Sequence, residues 1–473
     1  MRRLLAILVM FTVASSTYAG SAKLLKAREP IPNEYIVVLN DQTGINLDAV
    51  VDALAHQHGG AVLAVLRHGV KAFGVRLSAA EADRLAESPL VNHVEENGKA
   101  FLSYSVQEFG CPSSCGTDPS WWHLDRIDNQ GPLYPYHAYA YTTTGANVNA
   151  YTLDTGVLGT HQEFSGPNGS RVRAGATFGD GNAANDPCPT LTGPSDKVTH
   201  GTSVASIIGG TTNGVAKNVM IVPVKVWNCD ATNGNLSSNT LWWCWGLDWI
   251  LGDAQSFANA NYRAVVNISG TVSVPISGNA MCDDGHGGQT PCVPAFENNV
   301  AKLVQNGITV VAAAGNYNNA NCDQTPARMG YGGTANFSTV YHAITVGGSS
   351  EDDQRWVRTP NEQIIGDPDT GSNFGTCVDI YAPAHNFQHL ASVQCSTCYR
   401  DPSNLFRSSG TSYSAPVVTG MVARLLEGHP DWTPVQIWNY IHDHATHPGC
   451  FDWADDAHTV CRNNLLAYIS PFD

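Results

Sequence analysis

The sequence predicts an α/β protein in three layers, a mainly parallel sheet covered by helices on both faces, preceded by a small α+β unit. Three observations carry this. Beyond residue 120, wholly apolar runs alternate with stretches of helical spacing. Strands apolar throughout are buried on both faces, and strand–helix alternation is the pattern of a parallel sheet. The length of 473 residues exceeds what one hydrophobic core usually serves, so two folded units plus a leader fit. Charge and cysteine also change along the chain. Residues 106–473 hold 15 Lys/Arg against 31 Asp/Glu, the whole net charge of -16, and all 13 cysteines lie between Cys111 and Cys461.

The elements follow in order. Arg2 and Arg3, the apolar Leu4 to Ala14 and Thr17-Tyr18-Ala19 read as a secretory leader over 1–19. The apolar run is shorter than the ~20 residues of a membrane span. A leader of this kind predicts a secreted protein. Residues 34–100 then form a small unit. Glu34 to Leu39 and Ala72 to Leu77 read as strands, Leu47 to His58 as a helix, and Val91 to Glu95 as a closing strand. Ser78 is placed to cap a helix over Ala79 to Glu87, with Glu81 completing a capping box. Residues 101–120 lack periodicity and contain Gly110, Pro112, Gly116 and Pro119. They mark a junction, and the organisation expected is 1–19 leader, 20–105 small unit and 106–473 main unit.

In the main unit the expected strands are Val148 to Leu153, Val219 to Val226, Ala264 to Ile268, Ile308 to Ala314 and Ala343 to Val346. The expected helices are Thr202 to Ile208, Thr240 to Ala260, Ala295 to Asn306 and Ser412 to Glu427. The acidic balance argues against nucleic acid or an anionic membrane as partner. Thirteen cysteines behind a leader point to disulfides in an oxidising compartment, with at least one thiol left over. Cys395-Ser396-Thr397-Cys398 is one pair without a second, a poor zinc signature.

Four short runs carry the chemistry. Leu153-Asp154-Thr155-Gly156 ends an apolar run, which sets a carboxylate at the C-terminal end of a strand. Aspartic proteases use this tripeptide twice, and it occurs once here. His200-Gly201-Thr202-Ser203-Val204-Ala205 puts a histidine at an apparent helix opening. Gly410-Thr411-Ser412-Tyr413-Ser414-Ala415-Pro416 sets a serine where a turn enters a helix. Ala313-Ala314-Gly315-Asn316 ends a strand on an amide. Alone, each reads equally as a turn or a capped helix start. Together they supply a nucleophile, a base to take its proton, a carboxylate to orient the base and a donor for an oxyanion.

The order Asp154, His200, Ser412 and the residues around them resemble the subtilisin-like serine proteases, and most closely the proteinase K branch. The likeness spans roughly residues 30–100 and 120–430, with insertions around Gly181 to Asp196 and Cys282 to Cys292 as surface loops. It implies the subtilisin-like fold and a secreted, monomeric endopeptidase acting on proteins or peptides. Residues 20–105 become an inhibitory propeptide and intramolecular chaperone. Asn316 becomes the oxyanion donor. Ser203 stands where the family usually has a second histidine. Val266-Asn267-Ile268-Ser269-Gly270 resembles the family's edge strand that pairs with substrate backbone. Ser269, Gly270 and Thr271, with Ala313, Ala314 and Gly315, would then shape the primary pocket, and Thr271 in place of a glycine would narrow it. No organic cofactor is implied, but a structural calcium at Asp379 is. The branch also pairs the equivalents of Cys188 with Cys229 and of Cys322 with Cys377. The local pairs Cys111–Cys115, Cys282–Cys292, Cys395–Cys398 and Cys450–Cys461 would leave Cys244 as a buried thiol. A silent binding protein on this fold would lack one catalytic residue, and none is missing. An esterase could share the triad, but the propeptide-like unit favours a protease.

Overall fold

The computed structural model describes residues 23–470 except 28, 41–45, 103–107, 110–120, 129, 131–138, 180–183, 185–195, 230–235, 259–261, 273–280, 284–288, 321–323, 332–341, 358–370, 388–389, 394–395, 398, 400–405, 408, 448–451, 454–460 and 464. The expected leader and most of the junction lie outside these.

The N-terminal unit is one sheet and two helices. β1 (Leu24–Leu25), β2 (Pro30–Leu39), β3 (Ala61–Leu66), β4 (Ala72–Arg76) and β5 (Val91–Gly98) pair in the order β1-β5-β2-β4-β3. Helices α1 (Leu47–Gln57) and α2 (Ala79–Ala86) contribute Val51, Leu54, Ala82 and Leu85 to a core shared with Val37, Phe73 and Val94. Ser78 caps α2 by accepting from the Glu81 N–H. The expected capping box is not completed: the Glu81 carboxylate turns to His58 Nδ1 (3.1 Å) and to Arg84. β3 was not expected. Its apolar run sits just behind Gly59 and Gly60, whose punctuation masks so short a strand.

The main unit begins with α3 (Trp122–Asp128). Its sheet comprises β7 (Val148–Asp154), β8 (Ala176–Thr177), β9 (Met220–Lys225), β10 (Arg263–Ile268), β12 (Thr309–Ala313), β13 (Ile344–Ser349) and β14 (Ile380–Pro383). These seven are parallel, in the order β8-β9-β7-β10-β12-β13-β14. Two shorter pieces, β6 (Ala100–Leu102) and β11 (Gly270–Val272), pair with each other outside the sheet. The helices are α4 (Asp196–Gly209), α5 (Thr240–Ala258), α6 (Pro294–Gln305), α7 (Thr411–Gly428) and α8 (Pro434–His444).

Alternation along β12 shows why its sequence is apolar throughout. Val311 and Ala313 face a core with α4, α7 and α8, while Val310 and Ala312 face a second core with α5 and α6. The layers are therefore helix, sheet, helix, as the sequence predicts. α4 starts six residues before the expected Thr202, so His200 lies within the helix instead of opening it.

The N-terminal unit rests on α5 and α6. Asp248 of α5 accepts the backbone N–H groups of Arg67 (3.0 Å), His68 (2.6 Å) and Gly69 (2.7 Å). The N-cap of α6, Val293, offers no side-chain acceptor, and Glu95 Oε1 takes the Ala295 N–H at 2.6 Å instead. Asn97 Oδ1 takes the Leu241 N–H at the start of α5 (2.9 Å). Buried helix ends need such partners. Gly74 lets Leu241 approach closely, since a Cβ there would meet Leu241 Cδ2 at 2.4 Å and displace that side chain.

Cys229, Cys292 and Cys377 are disulfide-bonded and Cys244 is free and buried. The expected pairings rest on side chains outside those described. Burial pushes the Cys244 thiol well above its usual pKa, which makes it inert. Among the described residues no helix is long and apolar enough to cross a membrane.

Candidate active site

β7 ends on Asp154 between its sheet neighbours β9 and β10, where the chain passes from one half of the sheet to the other. The buried Asp154 carboxylate meets His200 Nδ1 at 2.9 Å and 3.0 Å through its two oxygens. It also accepts the Thr155 N–H at 2.6 Å. This close approach of α4 to the strand end requires Gly201. A Cβ there would lie 2.4 Å from Gly156 O and 3.0 Å from Asp154 Oδ1. The Gly201 N–H donates to Thr155 Oγ1 at 2.9 Å, so the Thr-Gly after the aspartate and the Gly after the histidine form one joint. Ser203, the replaced second histidine, donates to Ala391 O at 3.1 Å, away from the Asp154–His200 pair.

Ser412 is the second residue of α7, so its N–H is among the helix's four unpaired donors. Pro416 stands four residues on and cannot donate to the Ser412 carbonyl. Ser269 Oγ fills that gap at 2.9 Å. Asn267 Nδ2 donates to Ser269 Oγ (2.9 Å), and Thr419 Oγ1 donates to Asn267 Oδ1 (3.0 Å). This relay ties the serine's backbone to β10. The His200 and Tyr413 rings lie 6.0 Å apart, which sets the imidazole beside the residue following Ser412. Ser412 Oγ is buried and makes no hydrogen bond, so the serine–histidine bond is unmade in this state. Such bonds commonly tighten only with substrate in place.

Asn316 is oriented from α7. Its Oδ1 accepts the Thr411 N–H (2.9 Å) and hydroxyl (2.8 Å), which leaves Nδ2 as a donor. Nδ2 is buried and makes no hydrogen bond. A buried donor held without a partner, beside a helix N-terminus, is suited to a developing oxyanion. Gly315 has φ +101°, and a Cβ there would strike Asn373 Nδ2 at 2.5 Å. Asn373 in turn donates to Ala314 O (2.9 Å) and accepts from the Tyr317 N–H (2.9 Å), bracing the strand end.

The cleft corrects one expectation. Val266 to Ile268 cannot be an edge, because β10 lies between β7 and β12. The pairing strand is β11, one turn of chain later. β6 runs antiparallel to it, with Leu102 opposite Gly270, Phe101 opposite Thr271 and Ala100 opposite Val272. Later in the chain, just ahead of Ser412 in sequence, Phe406–Arg407 pairs antiparallel with Glu108–Phe109. The Ser269, Gly270, Thr271, Ala313, Ala314 and Gly315 positions thus gather around one slot, and all six are buried.

Asp379 is buried and its Oδ2 accepts the Thr345 N–H at 2.6 Å. Among the described residues no group of three or more His, Cys, Asp or Glu could hold a metal. A cation at Asp379 would take its other ligands from backbone carbonyls. Asn267, Asn373 and Gln324–Thr325 escaped the sequence reading. Their partners are distant in sequence, and only Asn267 stood inside a quoted motif.

A carboxylate-held imidazole beside a serine at a helix start, on a parallel sheet with a strand-binding cleft, defines a serine hydrolase of extended peptides. Known proteins carry this further. A profile of the subtilase family matches residues 148–460. The extracellular serine proteinase of Thermus sp. (strain Rt41A) is 31% identical over 467 residues, 94% of this chain and 93% of that protein. A solved cold adapted subtilisin-like serine proteinase is 28% identical, with a TM-score of 0.50, covering 74% of this chain and 98% of its own. Fervidolysin from Fervidobacterium pennivorans, a keratinolytic enzyme related to subtilisin, shares the fold at TM-score 0.60 and 17% identity, covering 95% of this chain and 62% of its own. The chain belongs to the subtilase family and is a subtilisin-like serine endopeptidase.

Proposed function

We propose that the chain is a secreted, self-processing zymogen whose Asp154, His200 and Ser412 form the catalytic triad. Ser412 Oγ attacks the peptide carbonyl while His200 Nε2 takes its proton. The tetrahedral oxyanion is held by Asn316 Nδ2 and the Ser412 N–H. Collapse breaks the C–N bond, and His200 returns the proton to the leaving amine. Water, deprotonated by His200, then frees Ser412 from the acyl-enzyme. Asp154 keeps the Nδ1 proton in place throughout. The observation that carries this reading is the Asp154–His200 pair at 2.9 Å, with Asn316 Nδ2 and Ser412 Oγ both buried and unbonded nearby.

The zymogen reading draws on the strand pairings. β6 occupies β11 as a substrate would, and Glu108–Phe109 resumes pairing close to Ser412. The self-cleaved bond then falls between Leu102 and Glu108, which brackets the expected 105/106 boundary. Residues 20–105 act as inhibitor and chaperone, residues 1–19 as a removed leader, and the mature enzyme works as a monomer outside the cell. A structural calcium beside Asp379 would stiffen β14 and take no part in the chemistry. Chelation should then lower the thermal midpoint of the mature enzyme, and an unchanged midpoint would remove this part.

The test is casein hydrolysis with and without a serine-directed fluorophosphonate. Hydrolysis should stop as one adduct per chain forms on Ser412. Hydrolysis that survives full labelling would exclude this serine.

A further inference from the structure

β11 has two edges. One carries β6, and on the other the Val272 N–H donates to Thr325 O at 2.9 Å. Two residues past Thr325, Ala327 belongs to the same small hydrophobic cluster as Ala314. The segment from Gln324 to Ala327 therefore reaches from β11 to the end of β12. We take it as the floor of the slot whose walls are Gly270–Val272 and Ala313–Gly315, because it touches both stretches.

Polar groups on this floor are engaged, with one exception. Thr325 Oγ1 donates to Glu297 Oε1 (2.5 Å) and Arg328 to Glu297 Oε2 (2.5 Å). The Arg328 N–H donates to Gln324 O (3.0 Å). Gln324 Oε1 is shielded from solvent and makes no hydrogen bond. An acceptor left unpaired in a buried position is costly and rare enough to need a reason.

We propose that Gln324 Oε1 is the specificity acceptor of the cleft. It takes a hydrogen bond from the side chain that precedes the scissile bond, and so selects Ser, Thr or Asn over their apolar isosteres. This rests on the peptidase reading of the cleft and adds the substrate class. A site built to hydrogen-bond a substrate donor discriminates against the analogue lacking it, because the acceptor is then left unpaired. Thr271, buried in the wall, limits the size of what enters. In the chain's own sequence, the residue after the paired Ala100–Leu102 is Ser103, a side chain of the proposed class.

The experiment compares four peptide pairs differing only before the scissile bond: Ser with Ala, Thr with Val, Asn with Leu, and Asn with Asp. kcat/KM is measured for the mature wild type, Gln324→Met and Gln324→Glu, each normalised by fluorophosphonate titration. The wild type should favour the donor of each pair by about tenfold. Gln324→Met should lose that preference, and Gln324→Glu, which keeps the acceptor, should retain it. Equal rates within each pair for the wild type, or an undiminished preference in Gln324→Met, would overturn the assignment. So would a preference for Asp over Asn, which would mean that the amide presents its donor. Labelled enzyme with a wrong ratio overturns this proposal alone, whereas enzyme that neither labels nor cleaves any peptide overturns the peptidase reading with it.

Discussion

Helices α1 and α2 of the N-terminal unit are capped by their own Asn46 and Ser78, whereas α6 of the main unit takes its cap from Glu95 across the interface. Charge divides the same way. The first 105 residues carry ten Lys/Arg and ten Asp/Glu, while the rest carries the whole net charge of -16. The small unit is self-contained and neutral, and the large one is acidic, with the starts of α5 and α6 completed by its neighbour. Under the proposed zymogen reading, the difference says which unit depends on the other for folding. An acidic chain repels itself, and an uncapped buried helix end is slow to settle. The N-terminal unit supplies three N–H groups to Asp248 and a carboxylate to α6, contacts that on the proposed reading would serve as template and plug.

The sharpest way to break the comparison is to remove one side. Residues 106–473 expressed alone should yield almost no active enzyme, and co-expression of residues 20–105 as a separate chain should restore it. Full yield without the N-terminal unit would make the borrowed caps irrelevant to folding.

Asn316→Ala acts wholly within the main unit. Turnover should fall by roughly 10²–10³, the effect of the equivalent donor in subtilisin, with KM little changed. Near-normal turnover would take Asn316 out of the oxyanion site. Asp248→Ala acts on the seam instead. Removing the acceptor of three part-buried N–H groups should speed release of the cleaved N-terminal unit on the order of tenfold, read as the lag before casein hydrolysis begins. An unchanged lag would mean that the seam is held elsewhere.

A smaller effect separates the units by pH. Burial pushes the His123 imidazole down to about 4, and its Nε2–H donates to Asn213 O at 3.0 Å. Its folded pKa lies below the unfolded value, so the unfolded chain binds the proton more readily. The contribution is complete above about pH 6.5 and is lost as pH falls toward 4, on the order of 3 kcal/mol. Denaturation of an inactive variant at pH 7 and pH 4 should show the loss, and His123→Gln should reduce it. A pH-independent difference between the two would refute the assignment.

The sheet was legible because β7, β9, β10 and β12 are apolar on both faces, a pattern set by burial alone. The Asp154, His200, Ser412 and Asn316 runs were legible because each needs glycine or small neighbours for a close approach that the structure now explains at Gly201 and Gly315. α8 carried a readable start, Thr433-Pro434 with Gln436 completing a capping box, and was passed over. β14 is four residues long and gave too few positions for a period. The Thr419–Asn267–Ser269 relay and the Gln324 floor are assembled from segments far apart in the chain, and no local pattern announces them.

The central claim is that Ser412 cuts its own chain at the seam between the two units. The direct measurement is the intact mass of purified wild-type and Ser412→Ala proteins after incubation without other proteases. The wild type should separate into two fragments with the new end between residues 102 and 108, and Ser412→Ala should remain one uncut chain. Two fragments from purified Ser412→Ala, or a wild type that stays whole while hydrolysing casein, would contradict the account.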